Sequence, residues 1–256
     1  MPRIEFPNLF DKSIIVNRVA FNLFGVDIYW YGVIIAVGVI LAFIYAMHKC
    51  KQFGLIPDHV FDVAFVAIIF GFIGARAYYC IFIDTDINFF DLRHGGLAIY
   101  GGIIAAAIAA AITCVIHKVN LPAMFDVGGL GLLIGQCIGR WGNFVNQEAY
   151  GNLITNPAHQ WFPLAVKVGE NYYQATFFYE SVCTLIGFVL VMLLLRSKRF
   201  RKGLAVAFYG IYYGTVRLVI EGLRSDSLYL WLGDFNTGIR ISQLVSCITI
   251  TLGIYR

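Results

Sequence analysis

Long apolar stretches decide what kind of chain this is. Seven windows are each apolar and long enough to cross a bilayer, whose hydrocarbon core of about 30 Å needs roughly 20 residues of helix. Hydrophobic residues make up 59% of the chain and charged residues 13%, against about 25% charged in soluble domains. This balance excludes a disordered chain, a secreted disulfide scaffold and an ordinary cytosolic enzyme. The predicted spans are Ile28–Met47, Val60–Ile83, Gly95–Ile116, Met124–Phe144, Thr176–Leu195, Leu204–Gly222 and Ile239–Tyr255.

The fold class predicted from these windows is an all-α integral membrane protein with seven transmembrane helices, in a single polytopic domain over residues 1–256. Its orientation follows from basic residues in alternate short loops, after the first, third and fifth spans. By the positive-inside rule the N-terminus lies outside and the C-terminus in the cytoplasm. The basic residues in those loops are Lys49, Lys51, Lys118, Arg196, Lys198, Arg199, Arg201 and Lys202.

Two segments outside the spans are long enough to have structure of their own. Residues 145–175 form the longest loop, which faces outward in this orientation, and its Trp161, Phe162, Tyr172 and Tyr173 predict a small extracytoplasmic cap. Residues 1–27 read as an interfacial arm on the same surface. The arm's apolar residues are Ile14, Ile15, Val16, Phe21, Leu23 and Phe24.

Metal, cofactor and nucleic-acid chemistry have no support in the sequence. The six cysteines include no C-x-x-C pair, and the five histidines lack ligand spacing. The formal charge of +4 would suit nucleic acid, but no basic helix face carries interleaved aromatic residues. We therefore predict no metal, no cofactor and no nucleic-acid partner.

Ionisable residues inside the predicted spans point to function. An arginine at mid-helix costs about 2.5–3.5 kcal/mol on insertion scales, so each one needs a partner or a polar cavity. Three arginines qualify, Arg76, Arg140 and Arg217, of which Arg76 reads as structural. The acidic residues that can neutralise them are Asp62, Asp126, Glu180 and Glu221, with Glu148 just beyond the fourth span.

The end of the fourth span concentrates these polar groups. Arg140, Asn143 and Gln147 share a helix face by spacing. An arginine fork with amide donors suits a phosphate group. The alternative is that Arg140 pairs with a carboxylate and locks the bundle.

In the sixth span, Arg217 and Glu221 are four residues apart and can pair on one face, with Arg224 about two turns beyond Arg217. These residues form either a simple intrahelical ion pair or part of an anion site. Glu180 in the fifth span reads as the counter-ion of one arginine.

The fourth-span segment Gly139-Arg140-Trp141-Gly142-Asn143-Phe144-Val145-Asn146-Gln147-Glu148 closely resembles the signature of the prolipoprotein diacylglyceryl transferase family. The resemblance extends over most of the chain. It includes Trp30-Tyr31-Gly32, the paired-glycine segment Gly95–Gly102, Tyr179-Glu180-Ser181, and Arg217 through Glu221 to Arg224.

The resemblance implies a bacterial enzyme of the cytoplasmic membrane, multi-pass, with its active site toward the outer leaflet. Its substrates would be phosphatidylglycerol, drawn from the membrane lipid, and prolipoprotein signal peptides with a lipobox cysteine. The diacylglyceryl group would pass to that thiol as a thioether, releasing glycerol phosphate, in the first step of lipoprotein maturation. A multipass transporter of a small anionic solute is the alternative, because arginines and acids in a bundle also line translocation paths.

Carried over by motif, the resemblance gives each residue a role. Arg140, Arg217 and Tyr100 would be catalytic, Arg140 binding the lipid phosphate and Arg217 stabilising leaving-group charge or gating the lipid. Phosphatidylglycerol would also contact Asn143, Tyr31 and Arg224. The supporting residues would be Glu148, Glu180, Glu221 and Asn146.

Tyr100 marks a departure from the family, since many members have a histidine there that has been proposed as the base. A phenol of pKa about 10 is a poor base at neutral pH. Either Tyr100 hydrogen-bonds the substrate, or the thiol proton leaves by another route. His94 precedes the other glycine pair and is a misaligned match to that histidine.

Overall fold

The computed structural model describes residues 3–9, 14–82, 88–91, 95–196, 200–224, 229–232 and 235–255. Seven α-helices lie in this part of the chain, confirming the all-α membrane class. They are α1 (Trp30–Lys49), α2 (Pro57–Phe82), α3 (Ile99–Ile116), α4 (Leu121–Asn146), α5 (Thr176–Leu194), α6 (Leu204–Leu223) and α7 (Ile241–Ile254). The first six are long and apolar enough to cross a membrane, whereas α7 has only 14 residues.

Two helices begin earlier than their apolar windows. Pro57 is the first residue of α2, and Pro122 is the second residue of α4. Proline is tolerated in a first turn because the backbone N–H that it lacks has no partner inside the helix there. Hydropathy alone therefore places these two helix starts about one turn too late.

Eight short strands lie outside the α-helices in the described residues, and the all-α prediction did not include them; β4 and β8 take up the first residues of the predicted first and seventh spans. In one sheet the order is β2 (Ile14–Ile15), β1 (Arg3–Glu5), β5 (Ala165–Val168) and β6 (Asn171–Gln174), all antiparallel. The N-terminal segment and residues 145–175 therefore share this sheet. Two hairpins complete the set: β3 (Val19–Leu23) with β4 (Val26–Tyr29), and β7 (Tyr229–Leu232) with β8 (Phe235–Arg240).

A small core and one ion pair fasten this sheet. Ile4, Val166 and Phe177 are almost completely buried together. At the sheet's surface Lys167 Nζ lies 3.0 Å from Glu5 Oε2. The hydrogen bond and charge of Glu5 raise the pKa of Lys167 above its usual value.

The chain divides into two compact units, Met1–Ala42 with Gly129–Arg256, and Phe43–Gly128. In the second unit, glycines let α2 and α3 approach closely. A Cβ added to Gly74 would overlap Ala105 Cβ and lie 2.8 Å from the Gly101 carbonyl oxygen. In the first unit Gly38 of α1 faces Gly135 of α4, where an added Cβ would lie 3.5 Å from backbone atoms. Lipid removes the hydrophobic driving force for helix association. Small residues instead let the helices pack closely through van der Waals contacts.

Arg76 of α2 is buried in the second unit and donates to five main-chain carbonyls. Nε bonds to Phe89, Nη1 to Gly95 and Gly96, and Nη2 to Asn88 and Asp91, at 2.6–2.9 Å. These contacts hold the segment that leads into α3, and they support the structural role predicted for Arg76. His94 lies outside the described residues.

Candidate active site

Arg140 and Arg217 meet on a single carboxylate in the first unit. Arg140 Nη2 lies 2.5 Å from Glu180 Oε1, and Arg217 Nη1 lies 3.0 Å from Glu180 Oε2. The three residues come from α4, α6 and α5. Each carboxylate oxygen therefore holds one guanidinium, and the shared acid fixes the separation of the two cations.

A second carboxylate completes this cluster. Arg217 Nη2 lies 2.7 Å from Glu221 Oε2, the pair predicted from their spacing of four. The two acids neutralise the two arginines. The acidic side chains are only 2% exposed, whereas Arg140 and Arg217 are 18% and 14% exposed. The carboxylates are therefore more deeply buried than the two guanidinium groups that they hold.

A polar chain continues from Arg140 beyond the end of α4. Arg140 Nη1 donates to Asn143 Oδ1 at 3.2 Å, and Asn143 Nδ2 donates to Glu148 Oε1 at 3.0 Å. Asn146 Nδ2 reaches the same Glu148 oxygen at 3.3 Å. Three of the predicted site residues thus follow Arg140 in one hydrogen-bonded series.

The predicted face of Arg140, Asn143 and Gln147 is wrong at Gln147. Helix α4 ends at Asn146, and Gln147 has a φ of +57°. The Glu148 N–H then donates to the Asn143 carbonyl at 3.1 Å. This is the bond of a Schellman motif, which ends an α-helix with a residue in the left-handed conformation. This turn takes Gln147 off the helix face and brings the Glu148 carboxylate to Asn143 instead.

Tyr31 and Arg224 lie at the ends of two other helices of this unit. Tyr31 is in the first turn of α1, and its ring would lie 2.8 Å from a Cβ added to Gly142. Arg224 caps α6 and pairs through its backbone with Gly151.

Tyr100 is the second residue of α3 and belongs to the second unit. Its catalytic role stays a prediction.

The sequence reasoning missed several neighbours of the cluster. The Tyr213 hydroxyl donates to Glu180 Oε1 at 2.9 Å. Ser181 Oγ accepts from Trp141 Nε1 at 3.2 Å and donates to the Cys137 carbonyl at 2.8 Å, joining α5 to α4. Arg240 donates from Nη1 to the Glu221 carbonyl. Tyr213 was detectable, because it lies one turn before Arg217 on α6.

This arrangement is suited to binding an anion next to a reacting centre. Preorganised guanidinium groups stabilise charge that develops on an oxygen, and burial strengthens that effect. No group of three or more potential metal ligands occurs within the described ranges.

Comparison with known proteins identifies the family. The family model described as prolipoprotein diacylglyceryl transferase matches residues 18–256. A phosphatidylglycerol–prolipoprotein diacylglyceryl transferase of Finegoldia magna is 38% identical over 245 residues, covering 93% of this chain and 94% of that protein. Proteins of the same name from Lactobacillus acidophilus (95% of this chain, 91% of that protein) and Clostridium perfringens (93% and 92%; there numbered 1) are both 39% identical. The chain belongs to the prolipoprotein diacylglyceryl transferase family.

Proposed function

We propose that this protein is a bacterial membrane transferase that moves the diacylglyceryl group of phosphatidylglycerol to the cysteine thiol of a prolipoprotein lipobox. The matching family and the relatives' names support the reaction and both substrates. The site assignment depends on one observation: Arg140 and Arg217 both form ion pairs with the carboxylate of Glu180.

The reaction requires charge stabilisation at one oxygen. The proton of the cysteine thiol passes to the departing phosphate or to water, and the sulfur forms a bond to the glyceryl carbon. The bond from that carbon to the phosphate oxygen breaks, and glycerol phosphate leaves with the electron pair. Both the phosphodiester and the departing phosphate are anionic, so guanidinium donors suit both states.

The residues of the cluster divide this work. Arg140 binds the phosphate, with Asn143 contacting its side chain and Glu148 holding Asn143, and Arg217 stabilises the charge that develops on the leaving group. Glu180 and Glu221 orient the two arginines. Tyr31 and Arg224 contact the lipid, Asn146 supports Glu148, and Tyr100 hydrogen-bonds a substrate.

The location of the reaction is also part of the proposal. We place the enzyme in the bacterial cytoplasmic membrane, with the site toward the outer leaflet, because the loops rich in basic residues lie at the opposite ends of the spans. Residues 145–175 would then form an extracytoplasmic cap over residues of the first unit. The alternative, a transporter of an anionic solute, has no support among the matching proteins.

Radiolabelled phosphatidylglycerol and a lipobox peptide, incubated with purified protein, test this function. We expect thioether product with the parent chain and none with Arg140→Ala. Arg217→Lys should keep partial activity, because a lysine ammonium keeps the positive charge but cannot make the bidentate contacts of a guanidinium. Arg201→Ala, which removes an exposed arginine next to α6, is the matched control. Normal turnover of a folded Arg140→Ala protein would reject the site. Absence of thioether product with the parent chain, together with uptake of an anionic solute by sealed vesicles that contain it, would reject the function.

A further inference from the structure

The β3–β4 hairpin has an aromatic tip that its turn does not favour. Phe24 and Gly25 form the two-residue turn between Leu23 and Val26, with φ angles of +52° and +82°. Positive φ at both positions is the requirement of a type I′ turn, whose preferred first residue is asparagine, aspartate or glycine. A bulky residue is strained there. Phenylalanine at this position therefore works against the local backbone preference.

The hairpin is also amphipathic. Phe21 pairs with Ile28 across the strands, and with Leu23 it lies on one face. On the other face Asn22 Nδ2 donates to Asp27 Oδ1 at 2.7 Å, and Asn22 Oδ1 accepts from the Gly25 N–H. Phe21 and Leu23 are about half exposed, and Phe24 is 98% exposed. One apolar face and an apolar tip are thus presented outward.

The position of this hairpin relative to a membrane follows from α1. The 20 residues of α1 span about 30 Å, which is the whole hydrocarbon thickness. Its far end carries His48 and Lys49, which belong in the opposite headgroup region. Trp30 at its start therefore has to lie at the near interface, because the helix has no length to spare.

The hairpin cannot move far from that interface. Strand β4 runs directly into α1, Tyr29 pairs with Val19, and the Trp30 N–H donates to the Arg18 carbonyl at 3.0 Å. Five residues of strand reach only about 17 Å. The hairpin either stands in water with its aromatic tip exposed or lies along the membrane with its apolar face inward.

We propose that the β3–β4 hairpin lies flat on the bilayer and inserts Phe24 at the boundary between headgroups and acyl chains. Phe21 and Leu23 face the lipid, and the Asn22–Asp27 pair faces water. Burial of Phe24 in lipid offsets the unfavourable turn geometry. The occupant of this apolar face is phospholipid, in continuity with the lipid-facing surface of α1.

Photocrosslinking tests the proposal directly. The full chain carries p-benzoylphenylalanine at position 24 and is placed in nanodiscs of phosphatidylglycerol and phosphatidylcholine. Irradiation should give a chain–phospholipid adduct by mass spectrometry. The control carries the same probe at Glu170, in the exposed turn of the β5–β6 hairpin. Its yield of phospholipid adduct should be roughly tenfold lower, because only the proposed anchor places its aromatic residue in the lipid. An adduct with a second copy of the chain, or no adduct at position 24, would overturn the proposal.

A second variant separates lipid contact from folding. Phe24→Asn supplies the residue that the turn prefers, so the protein should be as heat-stable as the parent. With the probe at Leu23, the lipid adduct should fall severalfold in the Phe24→Asn background. An undiminished adduct would overturn the role of Phe24. Neither result depends on transferase activity, so failure of the anchor and failure of the proposed reaction are distinguishable.

Discussion

At the scale of single residues, the carboxylate of Glu180 organises the candidate site. It contacts Arg140, Arg217 and Tyr213, and it is almost completely buried. Removing one partner of a buried ion pair leaves an uncompensated charge, which is strongly destabilising. The acid is therefore needed by both arginines at once.

Glu180→Gln should abolish this charge with little change of volume. We expect transferase activity to fall about 100-fold, equivalent to about 2.7 kcal/mol, because both guanidinium groups lose their shared anion. Product formation at saturating lipid measures the loss, and yield in the membrane fraction shows whether the protein still folds. Glu170→Gln, at an exposed turn, should change neither quantity. Parental turnover of Glu180→Gln would show that the bridge is dispensable.

The sequence predicted the residues of this cluster better than their connections. Charged side chains inside apolar spans are conspicuous, and the Arg217–Glu221 pair follows from helix spacing. Glu180 was expected to hold one arginine and holds two. No spacing rule reveals this, because the three residues come from three helices whose packing is set by tertiary contacts.

At the scale of elements, the α2–α3 pair depends on glycines that admit the partner backbone. Gly74→Ala should destabilise this pair by about 1–3 kcal/mol, the usual cost of overpacking, because the new methyl group overlaps Ala105. Thermal unfolding in detergent measures the change. Gly128→Ala in α4 is the control, since an added Cβ there meets nothing within 4 Å. Equal melting temperatures for the two variants would contradict this account.

Helices were predictable as elements and strands were not. An apolar window of some 20 residues is a local signal that needs no partner. The strands are two to six residues long, and Ile4 pairs with Val168 across the chain. Such pairing carries no periodic signature at that length, so the sheet joining the N-terminal segment to residues 165–174 could not be predicted.

At the scale of the whole molecule, the topology depends on whether α7, the shortest of the seven α-helices described, crosses the bilayer. The 14 residues of α7 reach about 21 Å, less than the hydrocarbon thickness of about 30 Å. Local thinning of the bilayer accommodates a short span at modest cost. We therefore keep the prediction of seven spans, with the N-terminus outside and the C-terminus in the cytoplasm.

Reporter fusions test this topology. Fluorescent protein fused after residue 256 should fluoresce, and alkaline phosphatase at the same place should be inactive, because the first folds in the cytoplasm and the second outside it. Alkaline phosphatase inserted at the Gly169–Glu170 turn should be active and serves as the opposite control. An active phosphatase at the C-terminus would mean that α7 does not cross.

The five carbonyls around Arg76 have a consequence for how freely this protein can vary. They hold the guanidinium through the main chain alone, so the side chains at positions 88, 89 and 91 take no part in those bonds. Both glycines of this group are restricted: Gly95 and Gly96 have φ angles of +78° and +87°, and a Cβ added to Gly96 would lie 2.6 Å from Arg76 Nη1. The guanidinium therefore does not select the side chains at those three positions, although Asn88 Oδ1 supports the same turn by accepting from the Phe90 N–H at 3.0 Å.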